Sequence, residues 1–222
     1  MVKGNLLVIS GPSGSGKSSL MKEVIAEISD SYFSISSTTR AIREGEVDGI
    51  NYHFISKEDF EKDIDAGFFL EWAKVHDNYY GTSLKPILKE LHEGKLVICD
   101  IDLQGHKIAR EKFGNLITSV FITTPDQKSL KERLLNRGTD SVENIEKRLA
   151  NAVSEMTRIR EYDYVLINDD FKTAFVSSEF HFNLEGITFE ADTIQIDCLQ
   201  YLTTIALKAG GRIMYRQSGD EA

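Results

Sequence analysis

The chain has 222 residues, 41% hydrophobic and 27% charged, which suits one compact domain with a sizeable core and a small insert. Its formal net charge of -9 argues against a nucleic-acid partner, which needs clustered Lys and Arg, but leaves room for a small anion held by a few local cations. Two cysteines, Cys99 in an apolar run and Cys198 far along the chain, exclude a disulfide framework and suit a reducing compartment.

The opening "MVKGNLLVISGPSG" is too short in apolar residues for a span of roughly 20, so no membrane partner is expected and the cytoplasm is the expected location. Apolar runs then alternate with amphipathic stretches, the pattern of an α/β fold with a largely parallel sheet flanked by helices. "NLLVIS" (5–10) predicts a central strand, and Leu20, Val24 and Ile28, four apart, predict a helix over about 16–28. Residues 32–82 break the alternation: "YFSIS", "NYHFIS" and "FLEWAKV" predict short strands around one helix in "KEDFEKDIDAG", a mixed lobe inserted into the core.

"LVICDID" (96–102), "LITSVFIT" (116–123) and "YVLIN" (164–168) predict three more buried strands, the first ending in acids. Between the last two, Thr124-Pro125 followed by Gln127 predicts a helix opened by a capping box with proline at its first position. A second helix is predicted from near Asp140, burying Ile145, Leu149, Ala152, Val153 and Met156 on one stripe. Further on, "EFHFNLEGITFEADTIQI" alternates around Glu185-Gly186 like a β-hairpin, and "CLQYLTTIALKAGG" reads as a helix stopped at Gly210. No function follows from residues 176–222.

The chemistry begins at "GPSGSGKSS" (11–19), directly behind the first strand. Gly11, Gly16, Lys17 and Ser18 satisfy G-x-x-x-x-G-K-[ST] in its strand–loop–helix context. Glycines let backbone N–H groups approach phosphate oxygens, and the new helix adds its positive end. Lys17 reaches the β- and γ-phosphates, and the Ser18 hydroxyl ligates Mg²⁺. The predicted cradle is Gly11, Pro12, Ser13, Gly14, Ser15, Gly16, Lys17, Ser18 and Ser19, and its ligand a nucleoside triphosphate; the plain alternative is a glycine-rich turn before a helix. Asp100 and Asp102 fall near the phosphates if their strand lies beside the first, with Asp100 joining Ser18 as a metal ligand; otherwise they are a solvated loop pair. His53, His76, His92, His106 and His181 are scattered without metal-ligand spacing and read as structural or surface residues.

Behind the loop come, in order, "SISSTTRAIREGEVDGINYHF" (34–54), "FLEWAKVHDNYYGTS" (69–83) and "CDIDLQG" (99–105). Over about residues 5–175 the chain resembles the guanylate kinases, which are P-loop nucleoside monophosphate kinases. The resemblance implies transfer of the γ-phosphoryl of ATP to GMP, and to dGMP, with Mg²⁺. It also implies a core (1–33, 83–125, 160–175), a GMP-binding lobe (34–82) and a helical lid (126–159). By the same resemblance Arg40, Arg43, Tyr52 and Tyr80 hold the GMP phosphate, the arginines through paired N–H groups. Ser36, Glu71, Thr82 and Asp102 select the base: guanine offers N1–H and its 2-amino group as adjacent donors, which a carboxylate such as Glu71 accepts. Arg133, Arg137 and Arg148 match lid or hinge arginines at the transferring phosphate, with a helix laced by i,i+4 pairs as the alternative. Asn168 matches a position near the adenine. Tyrosine and glutamate also have plain readings, as lobe packing and as a surface strand residue.

No general base is required, since the GMP phosphate is already anionic, and both lobe and lid are expected to close over the nucleotides. Two rivals are a non-catalytic guanylate-kinase-like phosphopeptide module, which typically lacks an intact phosphate loop, and a regulatory GTPase, which needs an N-K-x-D motif absent here. Beyond about Ala174 the chain departs from the single family helix, which leaves a homo-oligomer contact open.

Overall fold

A computed structural model describes residues 4–136 and 141–168, with three short strands beyond them. The first half contains β1 (Asn5–Ser10), α1 (Lys17–Glu27), β2 (Ile28–Ser29), β3 (Ser31–Ser34), β4 (Ser37–Thr38), β5 (His53–Phe54), α2 (Lys57–Asp65), β6 (Phe69–Val75), β7 (Asn78–Ser83) and α3 (Leu84–His92). The second contains β8 (Leu96–Asp100), α4 (Leu103–Phe113), β9 (Ile117–Thr123), α5 (Gln127–Asn136), α6 (Val142–Met156), β10 (Tyr164–Asn168), β11 (Ala174–Ser177), β12 (Ile194–Ile196) and β13 (Arg212–Ile213).

The main sheet runs β12-β11-β10-β9-β1-β8-β3, parallel from β10 to β3, with β11 and β12 added antiparallel. Its central strands read as unbroken apolar runs because both faces are covered. Successive side chains point to opposite faces. Leu7, Ile9, Leu96 and Ile98 therefore pack with Leu20, Met21 and Val24 of α1 in one core. Leu6, Val8, Val97 and Cys99 pack with Ile87 and Leu91 of α3 and Ala109 of α4 in the other.

The strands expected at 5–10, 96–102, 116–123 and 164–168 are all present, the second ending at Asp100 and the third starting at Ile117. "YFSIS" divides: Ser31–Ser34 joins the main sheet beside β8, and from β4 onward the chain enters a separate four-stranded sheet, β5-β4-β7-β6. The middle strand β7, which the sequence pattern does not announce, pairs antiparallel with β4 and β6. The expected capping box at Thr124 is absent. α5 starts two residues later, where the Asp126 carboxylate accepts from Ser129 N (2.6 Å) and Thr124 Oγ1 instead donates to the Asp126 carbonyl. Asp126 wins because its charged acceptor suits a helix N-terminus better than a hydroxyl.

α6 is capped by Ser141, which accepts from Asn144 N; Ile145, Ala152 and Met156 are buried, with Leu149 and Val153 partly so. The turn at Glu185-Gly186 and the helix before Gly210 lie outside the described residues, though β11 and β12 do pair antiparallel. Among the described residues no helix is long and apolar enough to cross a membrane.

One buried polar pair stands out in the core. His106 is 2% exposed, its ring stacked on Tyr162 at 4.1 Å, and neither ring nitrogen has a hydrogen-bond partner among the described residues. Burial, reinforced by the nearby Arg110 charge, pushes its pKa below the ordinary value, while Asp163 and Glu161 oppose this. The unfolded chain therefore takes up this proton near pH 6.5 while the folded one refuses it. The His106 contribution to stability is complete above pH 6.5 and is lost as the pH falls below it. Urea unfolding of the wild type and His106→Phe from pH 7.5 to 5.5 should show the wild type losing ground to the variant on acidification; parallel curves would refute this account.

Candidate active site

The loop between β1 and α1 has a backbone that only glycine accepts at two critical points. Gly11 and Gly16 lie at φ 140° and 90°. A Cβ at Gly11 would stand 2.0 Å from the Ile122 carbonyl oxygen, and one at Gly16 2.2 Å from Asn168 Nδ2. The loop is also tied from outside: Asn168 Nδ2 donates to the Ser15 carbonyl (2.8 Å), and Arg133 Nη2 to the Asn168 carbonyl (2.8 Å). Arg148 Nη1 donates to Ser13 Oγ (2.5 Å). Lys17 Nζ donates to the carbonyls of Gly11 (2.5 Å) and Pro12 (3.1 Å), folded over the loop it belongs to.

Parallel pairing sets Ile9 opposite Asp100, so the end of β8 lies beside the loop as expected for a carboxyl-edge site. A cavity of about 320 Å³ is lined by Gly11, Ser13, Gly14, Gly16, Lys17 and Ser18, with Asp100 and Asp102 opposite. Burial raises the Asp100 pKa, opposed by the Lys17 charge. Asp102 has a structural task as well: its carboxylate accepts from Gly105 N (2.8 Å) and caps α4. Glu155, on the last turn of α6, is likewise raised by burial and feels both Lys17 and Asp102.

A wider cleft of about 600 Å³ adjoins. Met21 and Lys22 of α1 form one wall, Ser36, Asn51 and Tyr52 the other, and Ser18 and Asp100 line both spaces. Nearby, Arg40 is gripped by Glu46 through two hydrogen bonds (2.7 and 2.9 Å), and the Tyr52 and Tyr80 rings meet edge to face at 5.9 Å. Thr82 donates its hydroxyl to Glu71 Oε1 (2.6 Å). Burial raises the Glu71 pKa, Thr82 partly offsets this, and Asp102 adds to the rise.

The structure thus lines the first space with Gly11, Ser13, Gly14, Gly16, Lys17, Ser18, Asp100 and Asp102, while Asn168 and Arg148 bond the loop itself and Arg133 bonds Asn168. It sets Ser36 and Tyr52 on the second, groups Arg40 with Tyr52 and Tyr80, and pairs Glu71 with Thr82. Asn168 is 5% exposed and holds the loop through its side-chain amide. The Arg43 side chain and Ser19 are exposed, and Arg137 lies outside the described residues. Glu46, Lys22 and Glu155 are site neighbours that the motifs do not single out. Lys22 has a local signal, one helical turn beyond Ser18, whereas Glu46 has none, since it lies in a loop and its main partner is Arg40. Among the described residues no group of three or more His, Cys, Asp and Glu is arranged to hold a metal ion.

A glycine-built phosphate loop at the carboxyl edge of a parallel sheet, sharing a wall with a second nucleotide-sized cleft, defines a phosphate-loop α/β enzyme. The guanylate kinase family model matches residues 3–179. The chain is 56% identical over 175 residues to the guanylate kinase of Campylobacter jejuni strain RM1221, covering 78% of this chain and 85% of that protein. It is 56% identical over 170 residues to that of Wolinella succinogenes, covering 77% and 79%. A crystal structure of guanylate kinase from Anaplasma phagocytophilum superposes with a TM-score of 0.59 at 30% identity, over 76% of this chain and 79% of that one. The chain belongs to the guanylate kinase family.

Space, and not φ alone, should decide what the loop glycines tolerate. Gly45 has a φ of 82° and nothing within 4 Å of where a methyl group would stand, whereas Gly16 at 90° meets Asn168. Gly45→Ala should cost about 1 kcal/mol and Gly16→Ala about 2–4 kcal/mol in urea unfolding. Equal costs would mean that the Asn168 amide yields freely.

Proposed function

We propose that the chain transfers the γ-phosphoryl group of ATP to GMP, and to dGMP, giving ADP and the nucleoside diphosphate. The observation carrying this reading is that Ser18 and Asp100 line both the loop cavity and the wider cleft, so a donor in one and an acceptor in the other meet at a common wall. Phosphoryl transfer asks a protein for positioning and charge stabilisation more than for covalent chemistry. The loop amides and Lys17 take the triphosphate, Lys17 exchanging its present carbonyl partners for phosphate oxygens. Arg40, Arg43, Tyr52 and Tyr80 take the monophosphate. Glu71, held by Thr82, accepts from the guanine edge, with Ser36 and Asp102 completing base selection. Arg133 and Arg148, already anchored at the loop, lie within reach of the transferring group, and Arg137 is assigned with them by resemblance.

Mg²⁺ fits the residues present. Asp100, a half-buried carboxyl with a raised pKa, lines the same cavity as Ser18, and Mg²⁺ favours one or two oxygen ligands of this kind alongside phosphate. When bound there with ATP, Mg²⁺ neutralises charge on the phosphates. The proposed setting is cytoplasmic purine nucleotide metabolism, with the four-stranded sheet region as GMP lobe and α5–α6 as lid. The phosphopeptide-module reading is not favoured, because Gly11, Gly14, Gly16, Lys17 and Ser18 are intact.

A coupled assay with ATP and GMP, dGMP, AMP or UMP tests the activity; turnover with AMP matching GMP would refute it. Lys17→Ala should lower kcat by about 10³-fold or more while GMP affinity stays within about threefold. Glu71→Ala should raise the KM for GMP and cut the preference for GMP over AMP by about 10²-fold. Full guanine selectivity in that variant would remove Glu71 from base recognition.

A further inference from the structure

We infer that Glu46 is a positioning residue, whose carboxylate fixes the Arg40 guanidinium and the Arg43 backbone in the pose that receives the acceptor phosphate. This rests on the reading of Arg40 as a phosphate ligand given above. Arg40, Arg43 and Glu46 share the loop between β4 and β5. Glu46 Oε1 accepts from Arg40 Nη2 (2.7 Å), and Oε2 accepts from both Arg40 Nη1 (2.9 Å) and Arg43 N (2.8 Å). Arg40 Nη1 also donates to the Ala41 carbonyl (2.7 Å), and Cζ lies 5.7 and 5.6 Å from the ring centroids of Tyr52 and Phe54.

Two features separate this from an ordinary surface ion pair. Side-chain exposure is only 12% for Arg40 and 20% for Glu46, so the guanidinium is sheltered enough to need a countercharge. Glu46 also closes the loop, since one of its oxygens holds the chain at Arg43.

Donor counting explains why the pair prepares the site without consuming it. A guanidinium has five N–H groups, of which Glu46 takes two and Ala41 one. Two remain for other acceptors, and the Tyr80 hydroxyl is one neighbour. A contrasting picture makes Glu46 a stand-in that leaves when phosphate arrives. Departure would also release Arg43 N and leave this turn with only its Glu46 N to Arg43 carbonyl bond (3.1 Å), which disfavours that picture.

Glutamine is no conservative replacement here. Both carboxylate oxygens receive N–H groups, so an amide nitrogen in either place would face a donor. In steady-state assays of the full chain with MgATP, Glu46→Gln should raise the KM for GMP about tenfold or more. The kcat should stay within about threefold and the KM for ATP should not move, a split that general loosening of the fold would not give. In an Arg40→Ala background, Glu46→Gln should add less than about threefold.

The outcomes separate the role of Glu46 from the role of Arg40. An Arg40→Ala variant with unchanged KM for GMP overturns the phosphate-ligand reading and this inference with it. If Arg40→Ala raises that KM and Glu46→Gln leaves it unchanged or lowers it, the inference alone falls. Should Glu46→Gln fail to fold, Glu46→Asp, which keeps the charge and shortens the reach, carries the same test: a raised KM for GMP supports positioning and an unchanged one overturns it.

Discussion

The parallel register of β1 and β8 is the constraint on which the site depends. Both strands are buried along nearly their whole length, β1 from Leu6 to Ser10 and β8 from Leu96 to Cys99, so the first partly exposed polar group of β8 is Asp100 at its carboxyl end. Pairing Ile9 with Asp100 brings those ends level. The phosphate loop then leaves one strand where the acid terminates the other. Ser10 Oγ donates to the Ile101 carbonyl (2.6 Å) and stitches the two exits together. A slip of one residue would reverse every side chain on β8, carrying Val97 and Cys99 into the core that now holds Leu96 and Ile98. Asp100 is thus held in place by hydrophobic packing more than by any polar contact of its own.

From that edge the arrangement spreads through charge. The chain is acidic overall, with 35 carboxylates against 26 lysines and arginines. The cations that matter are concentrated locally and held: Arg133 on Asn168, Arg148 on Ser13, Arg40 on Glu46. Arg133 and Arg148 come from α5 and α6, which pack together through Leu130, Leu134, Ile145 and Ala152. Movement of this helix pair is therefore felt at the loop through two separate arginines. On the proposed reading, lid position and loop geometry are one mechanical unit, and no long-range pathway is needed to couple them.

How much of this is legible in the sequence depends on the kind of signal each element carries. The central strands are readable because burial on both faces leaves an apolar run that nothing else explains. β7 is not, because "NYYGTS" mixes polar residues with a glycine and owes its strand character to partners on both sides. The start of α5 misleads because Thr124, Pro125 and Asp126 are all plausible openers, and only the geometry shows the Asp126 carboxylate taking the free amide. The phosphate loop is fully legible, since backbone conformation dictates its glycines. Glu46 is not: nothing local in "REGE" says which arginine the acid will serve. The proposed acceptor residues are assigned by family resemblance rather than by pattern, because they come from separate strands and loops.

Three carboxyls near the proposed nucleotide spaces, Glu71, Asp100 and Glu155, share one physical condition: burial raises the pKa of each above its ordinary value. The sign of the linkage matters. A carboxyl whose folded pKa lies above its unfolded pKa adds stability only while protonated, and that contribution is lost as the pH rises through the folded pKa. At neutral pH these groups therefore work against the fold. Such a cost is tolerable where an incoming partner removes it, and the proposed ligands bring suitable partners: N–H donors of guanine for Glu71 and a cation beside Asp100. Each partner favours the ionised form, so binding draws on a strain the free protein already carries. His106 carries the opposite case in the same molecule, a buried base kept neutral by the core around it. The contrast separates polar groups buried for the fold from those buried for the ligand.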